Sequence, residues 1–346
     1  NLFLEIIIDQ FCHPLLNQED INIERNVILE ELEMELDNVN VIIMQIVHEK
    51  MFNYSSLGMP IIGTKENILN FKKEDFIDFR KKNYIPNNSS IIVVGDIAAD
   101  RTFNKISREF NKASLEYVDQ HAPVIRYDIY QKIPYIYLKE KRDLNQTQIV
   151  MAFRSVGAYS NDCLILDVIA DVLSTGFSSR LFHVLRIKLG ITYFNFSGHL
   201  GYENDGIFII HLGVNNSKVL LAIRAVLIEL LKLKKRGITQ KELLKVKKMH
   251  STSMKLSFQD PRDYMMLYGI NSLFTDDSEF KSNYEQNNDP ARKRAISLHK
   301  MKLSDVKAVI KRTFNEHNFN LFVYGSTEIV NKNVNKLGTF INQTLK

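Results

Sequence analysis

The 346-residue sequence has two cysteines, no tryptophan and no apolar run long enough to cross a membrane. Cys12 and Cys163 lie far apart and lack CxxC spacing, which excludes a disulfide framework and a cysteine metal knuckle. Two isolated thiols favour a reducing compartment, and the sequence shows no secretory signal pattern. We therefore expect a protein of the bacterial cytoplasm or of an organellar matrix.

The charges are nearly balanced, with 45 Lys and Arg against 40 Asp and Glu and a formal net charge of +5. No block of basic residues is long enough for a nucleic-acid-binding arm, and no amphipathic arm indicates a membrane surface. Hydrophobic residues make up 45% of the chain, which is ordinary for a globular protein. The length suits two domains, and we expect neither nucleic-acid nor membrane partners.

An internal repeat organises the chain. The segment EDFIDFRKKNYIPNNSSIIVVGD, residues 74–96, aligns without gaps with SDVKAVIKRTFNEHNFNLFVYGS, residues 304–326, at an offset of 230 residues. Asn88 matches Asn318 within these segments, and the apolar positions match as well. Each copy is predicted to form a helix, a turn and a short strand that ends at glycine.

The repeat predicts two homologous halves. The second begins near Tyr135, where YIYLKEKRDLNQTQIVMAF is typical of strand, turn and strand. We predict that residues 1–118 are the C-terminal part of a first domain, 119–134 a linker and 135–346 a second domain. If the halves are full duplicates, the first lacks roughly 95 residues at its start.

The acidic run IERNVILEELEMELD, residues 23–37, contains no glycine or proline and is predicted to be helical. Glu24 and Glu31 lie two turns apart on one flank of its apolar stripe, whereas Glu30 and Glu33 point away. A carboxylate beside a buried stripe needs an ion pair or a metal ion. The pattern alone favours ion pairs with Lys or Arg. The apolar stripe consists of Ile28, Leu29, Leu32 and Leu36.

The stretch ERNVILEELEM within this run resembles the downstream metal-site helix of the insulinase/pitrilysin family, the inverzincin zinc metallopeptidases. In that family an HxxEH motif on an earlier helix supplies two histidine ligands and the catalytic glutamate. A later segment of the form E-R-x-x-x-x-x-E supplies the third ligand. The resemblance implies that Glu31 is the zinc ligand and that Glu24 is the acid that supports the site.

The resemblance continues along the chain. LGMPIIGTKENI, residues 57–68, resembles a turn and helix start of the family, and NYIPNNSSIIVVGDI, residues 83–97, resembles the strand that closes the first domain. STGFSSRLFHVLRIKLGITYF, residues 174–194, resembles a glycine loop and helix of the two-domain branch. That branch includes the mitochondrial processing peptidases and bacterial processing proteases.

Arg186 and Tyr193 have the spacing of an Arg and Tyr that bind the substrate backbone in that family. The resemblance implies that both residues also stabilise the oxyanion, because peptide hydrolysis develops charge on the carbonyl oxygen. Outside this motif the same residues would be interpreted as a helix-end arginine paired with a carboxylate and a half-buried strand tyrosine. Ile187 departs from the family, in which glutamate is common at that position.

The histidine motif of the family is absent from the sequence. The chain contains nine His, none paired at i and i+4, and neither HxxEH nor HExxH occurs. His48 and Glu49 form only a fragment of such a motif, which we interpret as helix surface. A catalytic zinc site needs three protein ligands and a water molecule. We therefore predict that zinc belongs to the full-length protein, and that this chain alone is metal-free and inactive.

Two function classes follow. The first is a zinc metalloendopeptidase in fragment form, which would hydrolyse extended peptides or presequences. The alternative is a non-catalytic partner or structural subunit of a peptidase-like dimer, either homodimeric or heterodimeric. The fold implied by the resemblance is α+β, with two homologous sandwich domains that face each other as a clamshell. Each would carry a mostly antiparallel sheet with helices on one face, and the first would be incomplete.

Overall fold

The computed structural model describes residues 2–53, 55–112, 131, 134–257, 259–274 and 290–345. Most of the predicted linker, residues 119–134, lies outside the described residues. The chain divides into two compact units. The first comprises Asn1–Met34, Ile61–Ile125 and Thr252–Ala295, and the second comprises Glu35–Pro60, Arg126–Ser251 and Ile296–Lys346. No helix among the described residues has the length and apolar character needed to cross a membrane.

The second unit is built on a five-stranded sheet with the strand order β1-β5-β2-β4-β3. β1 runs parallel to β5, and the other neighbouring strands are antiparallel. The predicted α+β class with a mostly antiparallel sheet is therefore confirmed. The strands are β1 (Tyr135–Glu140), β2 (Gln146–Ser155), β3 (Thr192–Gly201), β4 (Gly206–Asn215) and β5 (Phe319–Gly325).

One face of this sheet carries the larger core. Alternate residues of β2 and β4, such as Met151 and Phe208, point to this face and are fully buried. The helices of this unit pack apolar side chains against the same core. They are α7 (Cys163–Ser174), α8 (Val219–Arg236), α9 (Gln240–Ser257), α11 (Pro290–Lys300), α12 (Leu303–Thr313), α13 (Glu328–Asn331) and α14 (Val334–Leu345).

The opposite face of the sheet is covered by α3 (Val39–Met51), whose Ile43 and Val47 are fully buried against Val150 and Phe322. The sequence analysis placed helices on one face only, and the structure differs on this point. The reason is that β4 and β5 are apolar at nearly every position rather than at alternate positions. A strand of that kind must be covered on both sides.

The first unit is helical in its described residues. The predicted strand over residues 90–95 is not formed, because a strand needs a neighbour to accept its backbone hydrogen bonds and the described part of this unit contains none. The helices here are α1 (Leu2–Cys12), the start of α2 (Gln18–Asp37), α4 (Lys65–Asn70), α5 (Lys73–Asn83), α6 (Ala99–Lys112) and α10 (Pro261–Phe274).

The two copies of the internal repeat agree in local detail. α5 begins where the Lys72 amide donates to the Asp75 carboxylate at 2.8 Å, and α12 begins where Lys302 donates to Asp305 at 2.8 Å. Each helix ends with an asparagine side chain that donates to its last carbonyl oxygens, Asn88 in the first copy and Asn318 in the second. The matched residues therefore specify the same helix and the same stop, independently of the unit in which they lie.

Candidate functional site

The segment between α7 and β3 carries two of the predicted site residues. The chain turns at Gly176, where φ is +78°, and then forms a π-helix over Phe182–Lys188. In this helix the amide of Leu189 donates to the carbonyl of Val184, five residues earlier. Gly190, with φ at +59°, ends the helix in the left-handed region that favours glycine. π-helical turns of this kind are frequent at functional sites.

Arg180 fixes the start of this helical segment. Its Nε and Nη2 donate to the two carboxylate oxygens of Glu242 at 2.7 and 2.8 Å, and Nη2 also donates to the Gly237 carbonyl at 3.0 Å. Burial by itself raises the pKa of Glu242, but the hydrogen bonds from Arg180 and Thr239 and the Arg180 charge outweigh it and lower the pKa. The pair therefore ties the helical segment to the first turn of α9.

The structure brings Arg186 and Tyr193 into contact. The Arg186 guanidinium carbon lies 4.9 Å from the centroid of the Tyr193 ring, and Nη1 donates to the Thr192 carbonyl at 3.3 Å. Tyr193 is 79% exposed, so it is not the half-buried strand tyrosine of the alternative interpretation. Arg186 is exposed as well, which leaves guanidinium and hydroxyl donors accessible to a ligand.

Tyr193 occupies a bulge in β3, an edge strand of the sheet. Thr192 pairs with Val214 and Phe194 pairs with Gly213, so Tyr193 is an extra residue without an opposite partner. The Thr192 hydroxyl donates to the Gly213 carbonyl at 2.8 Å and holds the bulge in place. A bulge redirects the side chain that it carries, and bulges occur often beside active sites.

Glu24 and Glu31 are both exposed on α2. Leu32 of the apolar stripe is buried, whereas Leu36 at its end is exposed. Among the described residues, no three His, Cys, Asp or Glu side chains come together in a group that could hold a metal ion. Since a zinc site requires at least three protein ligands, the residues present do not fit the ion.

Arg25 has a structural role that sequence analysis did not identify. Its Nε donates to the Ile68 carbonyl at 3.1 Å, and Nη2 donates to the Phe71 carbonyl at 2.7 Å. These carbonyls lie at the C-terminal end of α4, where a cation is favoured by the helix dipole. The contact joins α2 to α4, and no short-range signal predicts it because the partners lie more than 40 residues away.

His48 is not the surface residue that the sequence analysis assigned. It is half-buried, its Nδ1 bonds to the Met44 carbonyl at 2.8 Å, and its Nε2 bonds to the Tyr202 hydroxyl. The Tyr202 ring also meets Phe52 edge-on at 5.3 Å. His48 therefore helps to attach α3 to the loop between β3 and β4. His48 lies one turn after Met44 on the sheet-facing side of α3. That position along the helix is the signal in the sequence that could have predicted its burial.

The comparisons with known proteins identify the family. A family model described as "Peptidase M16 inactive domain" matches residues 70–249. The chain belongs to the peptidase M16 family. The matched range begins within the first unit and ends in α9. It includes Arg186 and Tyr193. The resemblance to inverzincin zinc metallopeptidases is thereby confirmed.

Its relatives carry the name of zinc proteases. An uncharacterized zinc protease, YmxG of Bacillus subtilis, is 26% identical over 279 residues, which cover 79% of this M16 chain and 65% of the relative. Zinc protease PqqE of Helicobacter pylori is 27% identical over 261 residues, which cover 70% of this chain and 55% of the relative. The chain thus spans somewhat less than two thirds of the length of these relatives.

Solved structures show the same fold. An M16 inactive domain from Pseudomonas fluorescens superposes with a TM-score of 0.80 at 19% identity, and the match covers 93% of this chain and 74% of that one. A protease from Helicobacter pylori superposes with a TM-score of 0.76 at 21% identity, covering 93% of this chain and 76% of that one. At these identities the likeness concerns architecture, which again supports the α+β assignment.

Proposed function

We propose that this chain is the substrate-binding portion of a zinc metalloendopeptidase that acts on extended peptides. The observation that carries the proposal is the contact between Arg186 and Tyr193 at the bulged start of edge strand β3. Arg186 in the π-helix and Tyr193 in β3 present hydrogen-bond donors to solvent, and β3 is an edge strand of the sheet that the structure describes. An extended peptide offers carbonyl oxygens to such donors and can lie beside such an edge.

The chemistry assigned to each residue follows from its donors. The Arg186 guanidinium carries a fixed positive charge and several N–H groups, and the Tyr193 hydroxyl donates one hydrogen bond. Together they would bind a peptide carbonyl and stabilise the negative charge that develops on its oxygen during hydrolysis. The ring contact limits the motion of the Arg186 side chain. The entropic cost of ordering that side chain when a peptide binds is therefore smaller.

Zinc belongs to the proposed whole enzyme rather than to these residues alone. Glu31 would contribute one ligand and Glu24 would support it, and the two histidines and the general base would come from polypeptide outside these 346 residues. The described residues contain no cluster that could hold a metal ion. We therefore propose that the isolated chain binds peptide but does not hydrolyse it.

The second candidate function is a non-catalytic partner in a peptidase-like dimer with either an identical or a different subunit. It is favoured by the missing metal cluster among the described residues and by the matched family model, which describes an inactive domain. The coding DNA upstream of residue 1 separates the two candidates. An in-frame HxxEH motif supports the enzyme, and a start codon near Asn1 supports the partner.

Peptide binding tests the site directly. A fluorescein-labelled, unstructured 20-residue peptide is titrated with the 346-residue chain, and anisotropy is recorded. Saturable binding is expected for the wild type, and the affinity is expected to fall at least about tenfold in Arg186→Ala and several-fold in Tyr193→Phe. Lys188→Ala is the matched control, because it removes a neighbouring exposed cation and is expected to bind as the wild type does. Equal affinities for all four proteins would show that the pair does not bind peptide.

A further inference from the structure

The first half of β3 presents two phenylalanine side chains on one face of the sheet. Phe194 pairs with Gly213 and Phe196 pairs with His211, and side chains two residues apart on a strand share a face. Both phenylalanines are 43% exposed. They form a short apolar surface along the strand that also carries Tyr193, and we call this surface the aromatic strip.

The bulge at Tyr193 determines which face of the sheet the aromatic strip occupies. Thr192 and Ser197 both pair with residues of β4 that belong to the larger core. Side chains alternate between faces along a strand, so two residues five apart can face the same core only if one extra residue lies between them. The extra residue therefore turns the aromatic strip away from the larger core.

Each ring of the aromatic strip has a defined neighbour. The Phe194 ring meets the His211 ring edge-on at 5.2 Å between centroids. The Phe196 ring lies over Gly198, where an added Cβ atom would meet the ring at 2.7 Å. One ring thus leans towards β4 and the other leans along β3. Side chains that are already ordered lose less conformational entropy when a ligand binds to them.

The residues of β2 and β4 beside the aromatic strip are uncharged at neutral pH. His211 bonds to the Gln148 side chain at 3.0 Å, and burial lowers its pKa from 6.5 to about 4, so the imidazole is neutral. At Gly213 an added Cβ atom would meet the side-chain amides of Gln146 and Gln148 at 3.0 and 3.4 Å. A charged group placed here would lose water without gaining an opposite charge from these residues, whereas an apolar side chain would not.

A hydrogen bond limits where an extended peptide can lie along β3. The Ser197 amide already donates to the Ser174 hydroxyl at 2.8 Å, so it is not available to a peptide. The stretch that can receive a peptide is therefore residues 193–196. A peptide strand laid beside this stretch would place one side chain opposite Phe194 and a second, two residues along, opposite Phe196.

We propose that the aromatic strip makes this site selective for extended peptides that carry bulky apolar side chains at two alternate positions. One of these side chains would pack on Phe194 and the other on Phe196. The side chain between them would point to the opposite face, where β3 presents Asn195. Because Phe194 follows Tyr193 directly, this selectivity rests on the proposed peptide site and defines the class of peptide that the site prefers.

Three fluorescein-labelled, unstructured peptides of equal length test the selectivity, with anisotropy as the readout. The alternating peptide has leucine at two alternate positions in a background of serine, threonine and glutamine. The adjacent peptide has the same composition with the two leucines side by side, so that only one of them can face the aromatic strip. The third has serine at both positions. The alternating peptide is expected to bind at least about fivefold more tightly than the serine peptide, with the adjacent peptide between them.

Variants of the chain make the result specific. Phe194→Ser and Phe196→Ser are each expected to lower the affinity for the alternating peptide at least about threefold and to leave that for the serine peptide unchanged. Phe194→Leu keeps an apolar side chain and is expected to retain most of the preference. Leu221→Ser is the matched control, because Leu221 is 42% exposed on α8, which packs on the other face of the sheet.

The outcomes separate this selectivity from the proposed function. Equal affinities of the wild type for the alternating and adjacent peptides would overturn the selectivity, as would a preference that survives in both serine variants. If all three peptides bind equally and Arg186→Ala weakens them all, the peptide site stands and the selectivity fails. If the preference persists but Arg186→Ala has no effect, the selectivity stands and the role of Arg186 fails. Binding of none of the peptides would overturn both.

Discussion

The guanidinium carbon of Arg186 lies 4.9 Å from the centroid of the Tyr193 ring, across the turn that joins a π-helix to the edge strand β3. An exposed cation–π contact contributes only roughly 0.5–1 kcal/mol to stability. The contact therefore stabilises the fold only slightly, while the donors of both side chains stay accessible. Such an arrangement suits ligand binding better than it suits stabilisation of the fold. This relationship is the basis of the proposed peptide site.

The first prediction separates the two roles of this pair. Arg186→Ala is expected to lower the free energy of unfolding by less than about 1 kcal/mol, because the contact is exposed. A double-mutant cycle with Tyr193→Phe should give a coupling energy below about 1 kcal/mol in urea unfolding but a larger one in peptide binding. The chain has no tryptophan, so circular dichroism is the suitable probe of unfolding. A loss of several kcal/mol in stability would indicate that the pair is structural.

The second prediction concerns the anchor of the site. Arg180→Ala removes three hydrogen bonds and leaves the Glu242 carboxylate partly buried without its cation. We expect a loss of about 2 kcal/mol in the free energy of unfolding. Arg180→Lys keeps the charge but not the bidentate hydrogen-bond geometry, so we expect an intermediate loss in the free energy of unfolding. An unchanged stability in Arg180→Ala would show that α9 does not position the helical segment.

The pH dependence of that effect has a definite sign. The pKa of Glu242 is lowered in the folded protein from an ordinary value of 4.5, so its stabilising contribution is present above pH 4.5 and is lost as the pH falls further. The stability difference between the wild type and Arg180→Ala should therefore shrink below pH 4.5. A difference that stays constant down to pH 3 would argue against the Glu242 partnership.

The third prediction concerns a buried histidine. His211 lies in β4, bonds to the Gln148 side chain at 3.0 Å, and has a pKa lowered by burial from 6.5 to about 4. Between these two pH values His211 binds a proton in the unfolded chain but not in the folded chain. The free energy of unfolding therefore falls as the pH drops from 6.5 towards 4. The expected loss from this residue is about 2 kcal/mol between pH 7.5 and pH 5.

Replacement of His211 by glutamine should remove that part of the pH dependence. His299→Gln is the matched control, because His299 is exposed on α11 and should leave the pH profile unchanged. Urea unfolding at pH 7.5 and pH 5 gives the comparison. Equal pH slopes for the wild type and His211→Gln would show that His211 becomes protonated without cost in the folded protein.

The fourth prediction compares the same substitution at equivalent positions of the two copies of the repeat. Phe79→Asp is expected to change the free energy of unfolding by less than about 0.5 kcal/mol, because Phe79 is exposed in the chain alone. The equivalent change Val309→Asp buries a charge in the core of the second unit and is expected to prevent its folding. If Phe79→Asp also unfolded its unit, the surface around α5 would already be covered in the isolated chain.

Sequence analysis was most reliable where the cause of a structure is local. The matched helices α5 and α12 begin at the same carboxylate cap and end at the same asparagine, and their sequences contain all that is required. Residues 90–95 show the limit of that reasoning, because their sequence favours a strand as strongly as that of β5 does. Strand formation depends on partners that are distant in sequence, and the described part of the first unit supplies none.

The contacts around the candidate site also differ in whether their partners are near or distant in sequence. Arg186 and Tyr193 contact each other because a short turn joins them, whereas the peptide-binding role that the resemblance implies for the pair stays a prediction. The placement of α3 on the second face of the sheet and the contact between His48 and Tyr202 depend on partners more than 100 residues away. The assignments of Glu24 and Glu31 rest on the resemblance alone and stay predictions.

The proposed division between peptide binding and zinc chemistry is tested by one titration of the isolated 346-residue chain with a fluorogenic peptide in the presence of equimolar zinc. We predict saturable binding that Arg186→Ala weakens, no cleavage of the peptide, and less than stoichiometric zinc after removal of free metal. Stoichiometric zinc accompanied by cleavage would contradict the claim that this chain holds only part of the site. An absence of peptide binding would contradict the role of Arg186 and Tyr193.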